Sequence, residues 1–251
     1  IQKKEVHFSN VNCDLKTMRL NEGHKDLNLV MSNSTRDQFN DLLRSEGLNA
    51  GIIPVSNIPN EESRLNEVNR LGILNRDLDQ EAQYNALTQL AAIITKSQIG
   101  LINILGSNIQ QCKTNFGFNV LESTLTEEMP REISICQYSL ASPQEPLIIN
   151  DLFLDERTKH FKKIEAYEKL RFYAGSPLIS SRGFSIGTLC VIDDKPKKIE
   201  HDQIEGLRLL ADQVVNMLEQ EFNDNSNQNI DPEDISNVIE TNRITKYFST
   251  S

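Results

Sequence analysis

Tryptophan is missing from this 251-residue chain, and methionine, histidine and cysteine occur only four times each. The histidines, His7, His24, His160 and His201, are scattered without the close spacing of metal ligands, so no metal centre is expected. Cys13, Cys112, Cys136 and Cys190 stand far apart with no paired spacing, which fits neither a zinc site nor a disulfide framework. Reduced thiols in a cytoplasmic protein are the expectation. No run of about 18 apolar residues occurs, so no membrane-spanning helix is predicted. The opening residues, IQKKEVHFSN, are polar and lack the apolar core of a secretory signal. Residue 1 is Ile rather than Met, so the chain is expected to be a piece of a longer protein. Hydrophobic residues make up only 38% of it, so part of the chain is expected to face solvent.

Charge of one sign is in excess. The net charge is −10, and it is uneven: residues 1–60 hold seven basic and seven acidic side chains, the remainder nineteen and twenty-nine. An acidic domain repels phosphate backbones, which argues against nucleic acid as a partner.

Local patterning divides the chain into three parts: 1–59, an unassigned extension and linker; 60–222, a folded domain; and 223–251, a polar linker and short helix. In the first part, STRDQFNDLLRSEGL reads as one short helix capped at Ser34 or Thr35 and stopped at Gly47. NAGIIPVSNIPNEE reads as a linker. In the second, Leu65, Val68, Leu71 and Ile73 fall near one helical face. A second helix is predicted from about Leu78 to Thr95. Ile99 to Leu105 reads as a strand, Gly106-Ser107-Asn108 as its turn, and IQQCKTNF as the return strand. EISICQYSLA reads as a helix, Leu147 to Ile149 as a short strand, and residues 152–169 as one or two short helices. RFYAGSPLI and SIGTLCVID flank Ser180-Ser181-Arg182-Gly183 as a second hairpin. A last helix is predicted from about Glu200 to Phe222, with a wide apolar stripe of Ile204, Leu207, Leu210, Ala211, Val214, Val215 and Leu218. This order implies an α+β fold, an antiparallel sheet flanked by helices on both faces, with helical or irregular terminal extensions.

Arg171 to Lys197, RFYAGSPLISSRGFSIGTLCVIDDKPK, resembles the closing hairpin of bacterial GAF domains, an FYAG-P-L strand followed by G-TLCV-D. Glu62 to Leu74 is similar to the entry helix of that family, Pro130-Arg131-Glu132 with ICQYS to its PRE…FC stretch, and Asn150 to Arg157 to its D…DERF loop. The resemblance implies a central antiparallel sheet of GAF/PAS-like plan. A ligand-side layer of short helices and loops covers one face, and the first and last helices cover the other, where such domains commonly dimerise. It also implies a sensory or regulatory module rather than an enzyme. The departures are informative. The tryptophan that many relatives carry in the second strand is replaced by the region Gln110 to Lys113, and Phe161 falls later than the family's usual phenylalanine. The Asn-Lys-x(n)-Phe-x(3)-Asp-Glu signature of cyclic-nucleotide-binding members is not evident, so cyclic GMP recognition is not implied.

The candidate ligand-pocket residues are Cys136, Asp151, Phe161, Arg171 and Tyr173. Phytochrome-like relatives attach a bilin to a cysteine usually followed by histidine. Gln137 follows Cys136 here, so a buried structural thiol is preferred, no covalent chromophore is expected, and no other cofactor is implied. Cys190 reads as buried and Cys112 as exposed. Some compact GAF proteins reduce free methionine sulfoxide, which requires an attacking thiol with a resolving partner in reach. Arg157, Lys159, His160, Lys162 and Lys163 form a basic run, either a solvated face or an anion-attracting rim. Asp151 and Asp155 fit helix caps or polar pocket groups. Arg171 and Tyr173 alternate with Phe172 and Ala174, so one pair faces the pocket layer and the other the packing layer.

The expected function is a non-catalytic sensory domain of a larger signalling protein, binding a small ligand or a partner and passing the signal through its terminal helices. The alternatives are a ligand-free dimerisation scaffold or the reductase. A homodimer is expected on the first and last helices, with Leu210, Val215 and Met217 as candidate contacts. NRITKYF faintly resembles the lead into a nucleotide cyclase domain, and a histidine kinase output is equally open. Either would lie beyond Ser251.

Overall fold

The computed structural model describes residues 58–228 except 77, 79, 80, 118–127, 160 and 162–166. The expectations for residues 1–57 and 229–251 lie outside the described residues.

Helix α1, Glu61–Leu71, is bounded by two left-handed residues, Asn60 (φ 56°) before it and Gly72 (φ 65°) after it. Asparagine tolerates that conformation and glycine adopts it freely. Glu61 and Glu62 occupy the first turn and Arg70 the last, as the helix dipole favours. One 3-10 turn, Ile73–Asn75, follows. Helix α2 runs Ala82–Thr95, starting later than its periodicity predicts. The reason is Leu78, which is buried in the core ahead of the helix and accepts a turn hydrogen bond from Glu81 N at 3.0 Å.

Strands β1 (Ile99–Leu105), β2 (Ile109–Phe116), β3 (Glu128–Pro130), β4 (Leu147–Ile149), β5 (Phe172–Ile179) and β6 (Ser185–Asp193) form one sheet in the order β3-β2-β1-β6-β5-β4. All neighbouring pairs are antiparallel. The β5–β6 hairpin turns at Gly183 (φ 83°). A bulge in the β1–β2 pairing sets Asn103 opposite Cys112 and skips Lys113. The Lys113 ammonium donates to the carbonyls of Leu74 and Arg76, each at 2.8 Å, which satisfies a buried charge and ties β2 to the 3-10 turn.

Long helices cover only one face of the sheet. There α1, α2 and α4 (His201–Gln228) enclose a core containing Val68, Tyr84, Phe172, Leu189, Leu207 and Val214. The other face carries a 3-10 turn (Arg131–Ile133), a five-residue helix α3 (Gln137–Ala141) and loops. Its core includes Leu101, Leu140, Ile149, Phe161, Tyr167 and Tyr173. The helix read over EISICQYSLA is thus broken in two. The Ser134 hydroxyl accepts the Cys136 N–H at 3.0 Å and competes with helical pairing at the break. Between 152 and 159 the chain makes turns rather than a helix, because Asp151 and Asp155 accept the N–H groups two residues ahead of them. Helix α4 extends past Phe222, to Gln228, and its 28 residues span about 42 Å.

Two of the sequence motifs meet at one point. Arg64 of α1 and Arg131 both pair with Glu61, at 2.6 and 2.5 Å, and both donate to the Gly106 carbonyl. Arg64 also reaches the Leu105 carbonyl at 2.7 Å. These arginines therefore lock the entry helix and the β3 region onto the β1–β2 turn, a structural role.

Candidate functional site

The loop-side face of the sheet is apolar except at its centre. Along β1, Ile99, Leu101 and Leu105 point into the loop-side core, and Asn103, at the same alternation, places an amide among them. Asn103 Nδ2 donates to Cys136 Sγ at 3.4 Å and to Cys190 Sγ at 3.3 Å. The Tyr173 hydroxyl donates to Cys136 Sγ at 3.3 Å. Thr188 pairs across from Asn103 in the β1–β6 ladder and lies beside Cys136 without an aligned hydrogen bond. Cys112, opposite Asn103 on β2, packs half-buried against the same core. Three of the four cysteines, 24 to 78 positions apart, thus converge.

Gly175 makes this arrangement possible. Tyr173 folds along its own strand so that its ring lies over Gly175, and a Cβ there would overlap the phenol. The Tyr-x-Gly spacing in the FYAG motif therefore sets where the hydroxyl ends, against Cys136.

All of Asn103, Cys136, Tyr173, Thr188 and Cys190 are buried. Burial alone raises a thiol's pKa. At Cys136 it is outweighed by the polar groups gathered around its sulfur, Cys190, Thr188, Tyr173 and Asn103, which hold this thiol below the ordinary value, while burial and the neighbouring Cys136 push Cys190 up. Burial likewise pushes the Tyr173 and Tyr167 phenols well up, keeping both protonated donors. Asn103 Oδ1, Thr188 Oγ1 and Ser139 Oγ are buried and lack hydrogen-bond partners among the described residues. Three such atoms in one layer are uncommon, since buried polar groups are normally paired.

The other predicted pocket residues separate from this cluster. Asp151 and Arg171 form a bidentate pair at 3.0 and 2.7 Å at the rim, and the Arg171 guanidinium lies 4.7 Å over the Phe153 ring. The hydrogen bond from Arg171 holds the Asp151 carboxyl below its ordinary value. Phe161 is buried between Tyr138 and Tyr167, with ring centroids 6.5 and 5.0 Å away, and serves as wall. The alternation on β5 is now resolved: Tyr173 faces the loop side, while Phe172 and Ala174 face the helices. Cys112, expected to be exposed, is half-buried because the bulge turns it toward the core. In the basic run, Arg157 pairs with Asp155 and Lys159 with Glu156, so these charges are neutralised locally; His160, Lys162 and Lys163 lie outside the described residues.

Asn103 and Thr188 were not singled out from the sequence. The signal for Asn103 was present as a polar residue interrupting the apolar run IGLINIL. Among the described residues, no three His, Cys, Asp or Glu side chains are grouped to hold a metal ion, and no helix is long and apolar enough to cross a membrane.

The candidate dimer contacts also divide. Val215 is only 4% exposed and belongs to the helix-side core of its own chain, which removes it from any outer surface. Leu210 and Met217 are half-buried against that core. The exposed apolar side chains of these helices are Leu90 (42%) and Ile93 (60%) on α2 and Leu209 (59%) on α4.

The chain is similar to parts of several known proteins. A cyclic di-GMP phosphodiesterase of Pseudomonas aeruginosa is 29% identical over 137 residues, which cover 55% of this chain but only 22% of that protein. The blue-light-absorbing form of the PixJ GAF domain of Thermosynechococcus elongatus is 14% identical, with a TM-score of 0.46 over 67% of this chain and 95% of its own. A type II free methionine-R-sulfoxide reductase of Thermoplasma acidophilum is also 14% identical, with a TM-score of 0.46 over 55% and 92%. The family model that matches residues 79–218 is that of the GAF domain, and it spans more than half of the sequence: this chain belongs to the GAF family.

Proposed function

We propose that this domain is a non-catalytic sensory module of a larger signalling protein. A small polar ligand, or a partner's state, acts on the loop-side face, and α1 and α4 pass the response to a neighbouring domain. The observation that carries this reading is the group of unpartnered buried polar atoms, Asn103 Oδ1, Thr188 Oγ1 and Ser139 Oγ, on the face opposite the long helices. Such atoms stabilise a ligand that supplies the missing hydrogen bonds. Strands β5 and β6 link the two faces, because residues that touch the cluster alternate with residues packed in the helix-side core. A ligand that binds one arrangement of these strands better than another shifts their population.

The domain would work as a homodimer through the outer faces of α2 and α4, where Leu90, Ile93 and Leu209 are exposed. The phosphodiesterase activity of the relative belongs to a protein of which this chain covers 22%.

Amide hydrogen exchange tests the reading. The chain is compared before and after incubation with a protein-free small-molecule extract, and separately with cyclic di-GMP. Slower exchange in β1 and β6 together with altered exchange in α4 is expected from one of them. Unchanged exchange on the loop side with both would favour the second reading, a ligand-free dimerisation scaffold. That alternative draws on the full burial of Cys136, Tyr173 and Phe161.

A further inference from the structure

We propose that Cys136 and Cys190 are a reversible oxidation site, joined as an intramolecular disulfide when hydrogen peroxide enters the loop-side core. The proposal holds whether or not the domain binds a ligand.

Both sulfurs lie within reach of one amide group, Asn103 Nδ2, at 3.4 and 3.3 Å. Cys136 sits in the turn just before α3, in a segment that is neither helix nor strand, whereas Cys190 is fixed in the central strand β6. A disulfide needs its Cβ atoms about 3.5–4.5 Å apart, and the partner on the turn supplies the movement. The two thiols are also unequal in the way exchange chemistry requires. Asn103 and Tyr173 donate to the Cys136 sulfur and favour its thiolate, whereas burial pushes the Cys190 thiol up. The unpartnered acceptors Asn103 Oδ1 and Thr188 Oγ1 lie beside the sulfurs and suit the hydroxyl of a sulfenic acid. Burial selects the oxidant, since peroxide is small enough to enter a core that excludes bulky disulfides.

The step balances. The Cys136 thiolate attacks one peroxide oxygen, the O–O bond breaks, and hydroxide leaves, giving Cys136 sulfenic acid. The Cys190 sulfur then attacks the Cys136 sulfur, the S–O bond breaks, and a second hydroxide leaves. The protons given up by the two thiols convert both hydroxides to water. Overall, two thiols lose two electrons to peroxide and form one disulfide and two waters, and a dithiol reductant reverses the change.

The purified chain is treated with hydrogen peroxide, quenched with N-ethylmaleimide and mapped by mass spectrometry without reduction. The expected result is a Cys136–Cys190 cross-linked peptide lighter by two hydrogens, with Cys112 and Cys13 still alkylated and full reversal by dithiothreitol. In urea the selectivity should vanish. In Cys190→Ser, Cys136 should instead be trapped as a sulfenic acid by a cyclic 1,3-dione. The wild-type map stands without that variant if it does not fold. The proposal is overturned if Cys136 and Cys190 stay alkylated while Cys112 or Cys13 oxidises, if the disulfide joins Cys112, or if urea leaves the pattern unchanged. It is also overturned if free methionine sulfoxide, and not peroxide, oxidises the pair with release of methionine, because the site would then be an enzyme's.

Discussion

The two faces of the sheet are built on different rules. On the helix side the core cluster is apolar, and the buried polar groups around it, such as Arg64, Glu67, Thr88 and Thr95, are paired. There Tyr84 donates to Glu221 at 2.7 Å, Arg76 bridges Glu81 and Glu221, and Glu67 holds Arg70 and Arg182. The loop side buries an amide, three hydroxyls and two thiols at its centre, and leaves some of their atoms unpartnered. A core assembled only for stability would not keep unpartnered polar atoms, because each costs about 1–3 kcal/mol. On the proposed reading, stability resides mainly on the helix side and ligand recognition on the loop side.

Adjacent residues of β5 provide the largest test of this division. Phe172 packs among the helices, and the next residue, Tyr173, packs among the thiols. Phe172→Ala should destabilise the domain by about 3–5 kcal/mol through a cavity that a sheet-bound site cannot collapse. Cys136→Ala on the opposite face should cost clearly less in denaturant unfolding. A larger loss for Cys136→Ala would reverse the assignment of the two faces.

Gly175→Ala is next in size. The added methyl meets the Tyr173 ring, and overpacking of this kind costs about 1–3 kcal/mol. The loss should shrink when the ring is removed first, in Tyr173→Ala. Equal losses in both backgrounds would mean that the strand backbone, not the phenol, requires the glycine.

How far these features were legible follows from their range. Strands β1, β2 and β4 were legible to the residue, because β-prone apolar runs and turn chemistry are local. The α3 region was misread because the side chain of Ser134 competes for the backbone there, and apolar spacing does not report it. The arginines of the ESRL and PRE segments were visible only as motif letters, and their meeting at Gly106 depends on tertiary contacts. The thiol cluster was the most distant feature. Cysteine spacing along the chain says nothing when a sheet brings residues 136 and 190 to one amide on β1.

A smaller effect is expected from acid. The hydrogen bond from Arg70 holds the Glu67 carboxyl below its ordinary value of 4.5, against the opposing effect of burial. A carboxylate with a depressed folded pKa stabilises fully above its unfolded value and loses that contribution as pH falls through the lower folded value. Melting temperature should therefore decline from about pH 5 downward, and Glu67→Gln should make that decline shallower while lowering stability at neutral pH. Asp151, held down by Arg171 at the loop-side rim, should add a weaker dependence because that pair is more exposed. If Glu67→Gln leaves the acid limb unchanged and Asp151→Asn flattens it, the helix-side edge is not where the pH-sensitive stability lies.

The smallest change in folding stability should come from the outer surface of the helix side, where the division between faces acquires a third layer. Ile93 is 60% exposed on α2, and Leu209 is 59% exposed on α4 among Arg208, Asp212 and Gln213. Neither supports the monomer's core, so Ile93→Glu and Leu209→Glu should each change unfolding free energy by no more than about 0.5 kcal/mol when measured at dilution. Burial of these side chains against a second copy would stabilise the pair by roughly 25 cal/mol per Å² of apolar area removed from water. A glutamate placed there would be desolvated without a partner. The double variant should therefore convert a dimer to a folded monomer in light scattering, with unchanged circular dichroism. Val215→Glu, by contrast, should unfold the chain, because Val215 lies inside the core. A wild-type chain that is monomeric at high concentration would remove the outer layer, and the unpaired apolar side chains of α2 and α4 would then be no more than ordinary surface.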